Sequence, residues 1–150
     1  MTDRSFEAAN GATTDALREL TSSLSDEDLA ADVGEGWTVA MALAHLAYWD
    51  SYHAARWRHA AANGLVSPPS AADEITGRAN EALEATWRAL PGRVAATLAV
   101  EAAEAMDALA HTLRDDQVDE VRADGHPELV ARHPHRGEHI EQIGRALGRA

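Results

Sequence analysis

The spacing of apolar residues is the feature that most constrains the fold of this chain. Apolar residues recur three and four positions apart within alanine-rich segments, and clusters of Gly, Pro, Asn and Asp separate those segments. This spacing places side chains on one face of an α-helix, whereas a strand requires alternation over several residues. Because no segment alternates for long enough to predict a sheet, the sequence predicts an all-α fold.

Breaker residues divide the chain into helices and connections. A capped turn is predicted at SDEDLA from Ser25, and the stretch ADVGEG that follows it is interpreted as a loop. The acidic stretch DDQVDEVRAD is interpreted as a solvated connection. The predicted helices run from about Thr14 to Ser23, Thr38 to Ala62, Ala71 to Leu90, past Pro91-Gly92 to Arg114, and Pro134 to Leu147.

Composition limits the classes of function. At 150 residues we expect one domain, residues 1–150, which can bury a core without a metal ion or a disulfide. The 25 acidic and 13 basic residues give a formal net charge of -12, which repels phosphate backbones and anionic membranes. All basic residues are arginine and cysteine is absent, so a lysine Schiff base, a cysteine nucleophile and thiolate metal ligands are excluded.

The sequence also favours a cytoplasmic protein. The segment MTDRSFEAANG lacks the basic start and apolar run of a signal peptide, and no stretch approaches the roughly 20 apolar residues of a membrane span. The absence of cysteine fits a reducing compartment. Because of the net negative charge and the lack of a membrane span, we expect neither nucleic acid nor a membrane as a partner.

A histidine pair near the C-terminus is the clearest indication of chemistry. His135 and His139 in HPHRGEHIEQI are four residues apart, which places both imidazoles on one helix face about one turn apart. Near the start of a helix the macrodipole favours neutral imidazole, the form that binds metal. Gln142 continues the same polar stripe. The pattern predicts two ligands of a metal site; the alternative is a packing or surface pair, since eight histidines supply such spacings by chance.

His45, in GWTVAMALAHLAYWD, is the candidate third ligand. A reactive zinc site usually has three protein ligands, so the pair requires a partner from elsewhere in the chain. His45 lies in the second turn of the second predicted helix, with Met41, Tyr48 and Trp49 on its helix face. A buried histidine with a satisfied hydrogen bond is the alternative interpretation.

The segment GWTVAMALAHLAYWD resembles the Trp-Ser/Thr-Val, His-Leu-Ala and Trp-Asp pattern that opens the second helix in the DinB/YfiT-like superfamily of helical metalloproteins, which includes mycothiol-dependent maleylpyruvate isomerase. SDEDLA and the later His-x-x-x-His with its following Gln occur in matching order and spacing, so the resemblance covers essentially the whole chain. It implies a four-helix bundle with a long crossover connection and a zinc or nickel ion bound by His45, His135 and His139. In the isomerase branch of this superfamily, the residue that corresponds to His135 resembles a glutamate rather than a histidine.

The resemblance also implies a chemistry. Three protein ligands leave one coordination position open, and a divalent metal lowers the pKa of bound water to about 7 and can deprotonate a bound thiol. Because the chain has no cysteine, the thiol would be a low-molecular-weight cosubstrate such as mycothiol, as relatives in this superfamily use. The main hypothesis is therefore a metal-dependent thiol S-transferase or isomerase that acts on a small electrophilic substrate.

Two other functions fit the same residues. The segment HRGEH from His135 matches the inverted zinc-peptidase pattern, with Glu138 as general base, although the helix turns Glu138 about 100° away from His139. The third hypothesis is a non-catalytic bundle that binds metal or a small molecule, or forms a homodimer. A pocket with arginine for a carboxylate would favour an enzyme, and Arg56 and Arg136 are the nearest candidates, unless both are salt-bridged surface residues.

The remaining histidines carry weaker predictions. His53 lies two turns after His45, and we favour a packing or surface role for it over a contact with the metal ligands. His133 precedes Pro134 and is interpreted as a cap or loop residue. Trp49 is either a core residue or a wall of the pocket. No ligand-spaced partner exists for His59, His111 and His126.

Overall fold

The computed structural model describes residues 1–70 and 73–149. Apart from one two-stranded hairpin, the regular secondary structure of this part of the chain is helical. The elements are α1 (Ser5–Ser23), α2 (Asp26–Ala30), β1 (Asp32–Gly34), β2 (Trp37–Thr38), α3 (Val39–Ala62), α4 (Asp73–Ala89), α5 (Gly92–Thr112), α6 (Asp115–Ala123), a 3₁₀ turn (Pro127–Leu129) and α7 (His133–Ala146). The all-α class is confirmed. Within the described ranges, no helix is long and apolar enough to cross a membrane.

Two helices differ from the predictions. Helix α1 begins at Ser5 rather than near Thr14, because Phe6 and Asn10 are buried on its inner face. The acidic stretch is helix α6 and not a solvated connection, since it buries Val118 and Val121 on one face while its aspartates are exposed. The predicted start of the third helix at Ala71 lies outside the described residues.

The predicted loop ADVGEG forms most of a hairpin. Strands β1 and β2 pair antiparallel, and the residues between them turn the chain with positive φ angles of 106° at Gly34, 55° at Glu35 and 80° at Gly36. Glycine adopts this region without strain, which explains its two occurrences in the turn. The hairpin ends at Thr38, directly before α3. The Thr38 hydroxyl accepts a hydrogen bond from the backbone N–H of Met41 at 3.2 Å, so Thr38 caps α3 as predicted.

Helix α3 lies at the centre of the packing. It contacts α4, α5 and α7, and its first nine residues are all buried. Alanine dominates its contact with α5, with Ala42 and Ala44 on α3 and Ala99 and Ala103 on α5 all buried. Small side chains at this contact let α3 and α5 approach closely.

Two apolar clusters form the core, and buried polar residues separate them along the helices. On α3, Leu43 belongs to the first cluster and Trp57 to the second, with Asp50 between them; on α1, Asn10 lies between Phe6 and Leu17. We call these residues the polar layer. Its members are Asn10, Thr14, Asp50, Asp107, Arg132 and Arg136.

Asp50 is the centre of the polar layer. Its Oδ1 accepts a hydrogen bond from Nε of Arg132 and its Oδ2 one from Nε of Arg136, both at 2.8 Å. Arg136 is 0 % exposed, and its Nη1 also donates to Oδ1 of Asp107 at 2.9 Å and to the Thr14 hydroxyl at 3.0 Å. Two guanidinium groups therefore face two carboxylates, which satisfies the requirement that buried charges be paired.

We expect Arg136→Met to lower the free energy of unfolding by about 3–5 kcal/mol, because the substitution leaves two carboxylates without their buried partner. Urea denaturation measures this change. Arg18→Met is the matched control: Arg18 also pairs with two carboxylates, Asp15 and Glu104, but half of its side chain is exposed. Solvent screens those pairs, so the control should cost much less. Equal losses in the two variants would contradict a special role for the buried pairs.

Candidate metal centre

The structure brings His45, His135 and His139 together. One ring nitrogen from each histidine lies within 4.8 Å of those of the other two, and no further His, Asp or Glu of the described chain joins this cluster. Nε2 of His45 is 2.9 Å from Nε2 of His135, and the ring centroids of His45 and His139 are 4.7 Å apart. Zinc binds imidazole nitrogens at about 2.0–2.1 Å, so nitrogens at this spacing can share one ion. The histidine cluster can therefore hold a metal.

Two helices position the histidine cluster. His45 lies in the second turn of α3, and His135 and His139 lie one turn apart near the start of α7. Arg132 lies three residues before His135, and Arg136 lies three residues before His139. Both arginines form ion pairs with Asp50, which follows His45 by five residues. The two ion pairs therefore set how α7 sits against α3 at the level of the cluster.

Gln142 orients His139. Its Oε1 lies 2.8 Å from Nδ1 of His139, and its Nε2 donates to the carbonyl of Val33 at 3.3 Å. Because the carbonyl only accepts, the amide is oriented with Oε1 toward His139, so Nδ1 of His139 carries the proton. This leaves the lone pair on Nε2 for a metal, and such a contact from the second ring nitrogen is usual in metal sites.

His135 has the opposite environment. Nη2 of Arg132 lies 3.2 Å from Nδ1 of His135. A guanidinium only donates hydrogen bonds, so Nδ1 accepts and the proton of neutral His135 is on Nε2, which donates to Nε2 of His45. His45 then carries its proton on Nδ1, which is buried without a hydrogen-bond partner in the described chain. In this state a hydrogen bond from Nε2 of His135 to Nε2 of His45 joins two of the candidate ligands.

Burial keeps His45 and His135 uncharged. Desolvation lowers the pKa of His45 to about 3, with a smaller contribution from the neighbouring His139. Desolvation also lowers the pKa of His135 well below its usual range, and the positive charge of Arg132 adds to the effect. Both imidazoles are neutral near pH 7, which is the form that ligates metals.

A cavity of about 690 Å³ opens beside the histidine cluster, a volume typical of small-molecule sites. Trp37, Trp49 and Tyr52 contribute an aromatic wall. Nε1 of Trp49 donates to Oδ1 of Asn80 at 2.8 Å, so helix α4 fixes the orientation of this ring. Trp49, predicted as either a core residue or a wall of the pocket, is buried and lines the cavity, so it takes both positions.

The structure separates the two arginines that we named for a carboxylate. Arg56 lines the cavity and is half-buried. Arg136 is fully buried in the polar layer, where it forms ion pairs with Asp50 and Asp107; the predicted salt bridge is therefore present, but the predicted surface or pocket position is wrong. Its charge is satisfied within the protein and is unavailable to a ligand.

The other predicted residues take varied positions. His53 is buried and lines the cavity, while Glu138 is exposed at its edge. His133 is the first residue of α7, and its backbone N–H donates to Oδ1 of Asn10 at 3.0 Å; because Arg132 is the N-cap, the interpretation of His133 as a cap or loop residue is wrong. His126 contacts Glu128 at 3.0 Å beside the cavity. Exposed positions are taken by His59 and His111.

Sequence reasoning missed Asp50 and Arg132. A signal for both exists in the sequence: an aspartate interrupts the longest apolar helix, and two arginines four residues apart alternate with the histidine pair. Charges at such positions indicate pairing within the core, because an unpaired buried charge is too costly. The partners are 82 residues apart in the chain, so the pairing itself required the structure.

We expect metal-free protein at neutral pH to show His139 protonated on Nδ1 and His135 on Nε2, because Gln142 accepts from the first and Arg132 donates to the second. Long-range ¹H–¹⁵N correlation spectra distinguish the two tautomers. The variant Gln142→Leu should lose the fixed tautomer of His139 and leave that of His135 unchanged. Protonation of His135 on Nδ1 would contradict the role given to Arg132.

Comparisons with known proteins returned no relative: no family model matches the chain, and neither a curated protein nor a solved structure matches it. The resemblance to the DinB/YfiT-like superfamily therefore stays a prediction.

Proposed function

We propose that His45, His135 and His139 bind one divalent metal ion, with zinc as the first choice and nickel as the second. The observation that carries this proposal is the convergence of three imidazoles from two helices beside a cavity. An all-nitrogen donor set suits zinc, nickel and other late first-row ions. The contact of His139 with Gln142 supports the proposal, because metal-bound histidines are held in this way.

We also propose a DinB/YfiT-like four-helix bundle. Helix α5 packs against α1 and α3, and α7 packs against the same two helices, which closes a ring of four. The long connection that the resemblance implies would be residues 63–91, which lead from α3 to α5 and include α4. This arrangement supports the proposed family without a matching relative.

The proposed activity is that of a metal-dependent S-transferase or isomerase. When bound, a divalent cation lowers the pKa of a thiol or a water molecule at the open coordination position. The chain has no cysteine, so the thiol would be a low-molecular-weight cosubstrate such as mycothiol. In a conjugate addition its sulfur would bond to the β-carbon of an unsaturated substrate, the C=C π bond would break, and the thiol proton would pass to the α-carbon. Trp37 and Trp49 would shield the reacting groups from water.

We expect purified wild-type protein to hold one zinc ion per chain, measured by native mass spectrometry and elemental analysis. His139→Ala should lose the metal, because two remaining imidazoles form an incomplete site. The matched control is His111→Ala, which removes an exposed histidine far from the cluster and should keep full occupancy. Stoichiometric zinc in His139→Ala would contradict the proposed site.

The same proteins test the reaction. Zinc-loaded wild type should consume mycothiol in the presence of a small electrophile, and His139→Ala should not. Glu138 lines the cavity and is exposed, which keeps a metal-dependent hydrolase as the second candidate. Hydrolysis that Glu138→Gln abolishes would favour that candidate. Bound zinc without either reaction would identify a non-catalytic metal-binding module.

We expect Gln142→Leu to weaken zinc binding by about 10–100-fold, since residues that orient a metal-bound histidine typically have effects of this size. Competition with a chromogenic chelator measures the affinity. Glu138→Gln is the control, because Glu138 is a polar neighbour of His139 that forms no hydrogen bond in the described chain. Its affinity should stay close to that of wild type. Equal affinities for wild type and Gln142→Leu would remove Gln142 from the site.

A further inference from the structure

Arg56 brings an uncompensated positive charge to the cavity. Its guanidinium lies 5.6 Å from the centre of the Tyr52 ring and donates a hydrogen bond to the carbonyl of Pro69. It forms no ion pair with a carboxylate in the described chain, whereas Arg132 beside it is held by Asp50. The stacked ring and the carbonyl fix the guanidinium in place without neutralising it.

His53 lies one helical turn before Arg56 and is an unsatisfied polar group. Its side chain lines the cavity and only 6 % of the residue is exposed, yet neither ring nitrogen has a hydrogen-bond partner in the described chain. Burial lowers its pKa to about 3, so the ring is neutral and has one N–H to donate. Because Nδ1 is enclosed by protein, Nε2 is the ring nitrogen that a ligand or water in the cavity can contact.

The two residues lie at the far end of the cavity from the histidine cluster. His53 follows His45 by eight residues on α3, which corresponds to about 12 Å along the helix axis. Trp49 and Tyr52 occupy the intervening turn, with their ring centroids 5.3 Å apart, and Tyr52 is 5.8 Å from His53. Trp49 and Tyr52 meet edge to face, at an interplanar angle of 86°, so aromatic side chains line the cavity between its two ends.

Charge is distributed unevenly along the cavity. Beside His53 and Arg56, Glu128 lies in the lining and contacts His126 at 3.0 Å. Among the described residues, the carboxylates of the lining without a partner are Glu35, on the hairpin, and Glu138, next to the histidine cluster; both are exposed. At its end of the cavity, the guanidinium of Arg56 is the group that attracts an anion.

We propose that Arg56 and His53 form a carboxylate-binding subsite, and that the substrate is an elongated, unsaturated organic acid. Its carboxylate would accept hydrogen bonds from both residues, and its flat body would lie against Trp49 and Tyr52. The electrophilic end then reaches the histidine cluster, a step that rests on the proposed function. The subsite itself does not require the metal.

The test uses cinnamate, a flat unsaturated carboxylate, and its neutral analogue cinnamamide. Isothermal titration calorimetry with the full chain, zinc-loaded and metal-stripped, should show cinnamate binding at least about tenfold more tightly than the amide, as expected for a charge-assisted hydrogen bond. Arg56→Gln and His53→Phe should remove most of this preference. His53→Gln keeps a donor and should retain part of it. Arg58→Gln, an exposed arginine on the same helix, is the charge-matched control and should leave it unchanged.

Three results would overturn the subsite. One is an unchanged preference for cinnamate in Arg56→Gln. Another is binding that needs zinc and is lost in His139→Ala but kept in Arg56→Gln, which would place the carboxylate on the metal and leave the proposed function intact. The third is tighter, Arg56-dependent binding of inorganic phosphate than of cinnamate. A preference that depends on Arg56 in protein that binds no zinc would support the subsite while refuting the proposed function.

Discussion

Asp50 and its two arginines hold the candidate site in place. The segment of α7 that carries the histidine pair, HPHRGEH, has no large apolar side chain, so hydrophobic packing cannot set its position. Apolar contacts are non-directional, whereas an arginine on a carboxylate has a defined geometry. The contacts of Arg132 and Arg136 with Asp50, at 2.8 Å each, therefore determine where His135 and His139 meet His45.

Buried ion pairs often contribute little net stability, because desolvation offsets their attraction, although breaking one is costly. Their value here lies in positioning. Arg132 contacts both the polar layer and the histidine cluster, since its Nε donates to Asp50 and its Nη2 donates to Nδ1 of His135. A metal bound through Nε2 of His135 requires the ring proton to leave that nitrogen. In a neutral ring the proton would then be on Nδ1, which could no longer accept a hydrogen bond from Arg132. Metal binding and the contact with Arg132 are therefore coupled.

Local patterns predicted what depends on local interactions. Thr38 as a cap, Asn63 as a stop and the helical spacing of the histidine pair all have short-range causes, and the structure places them as expected. Asn10 shows why other features failed. Beside Gly11 it resembles a helix breaker, yet it is buried within α1, where its side chain bonds to Val130 and to the backbone N–H of Arg132, more than 100 residues away. Arg136 was misjudged for the same reason, because its carboxylate partners are distant in sequence.

The net charge of -12 and a cavity suited to an organic acid are compatible. A polyanion such as nucleic acid contacts a broad surface and meets many carboxylates at once. A small anion inside the cavity experiences mainly the groups within a Debye length, about 8 Å at physiological ionic strength. Among the described residues, the groups at the far end of the cavity include the guanidinium of Arg56, the carboxylate of Glu128 and the neutral ring of His53, with Arg132 balanced by Asp50. The local field, rather than the total charge, therefore decides which ligands the cavity admits.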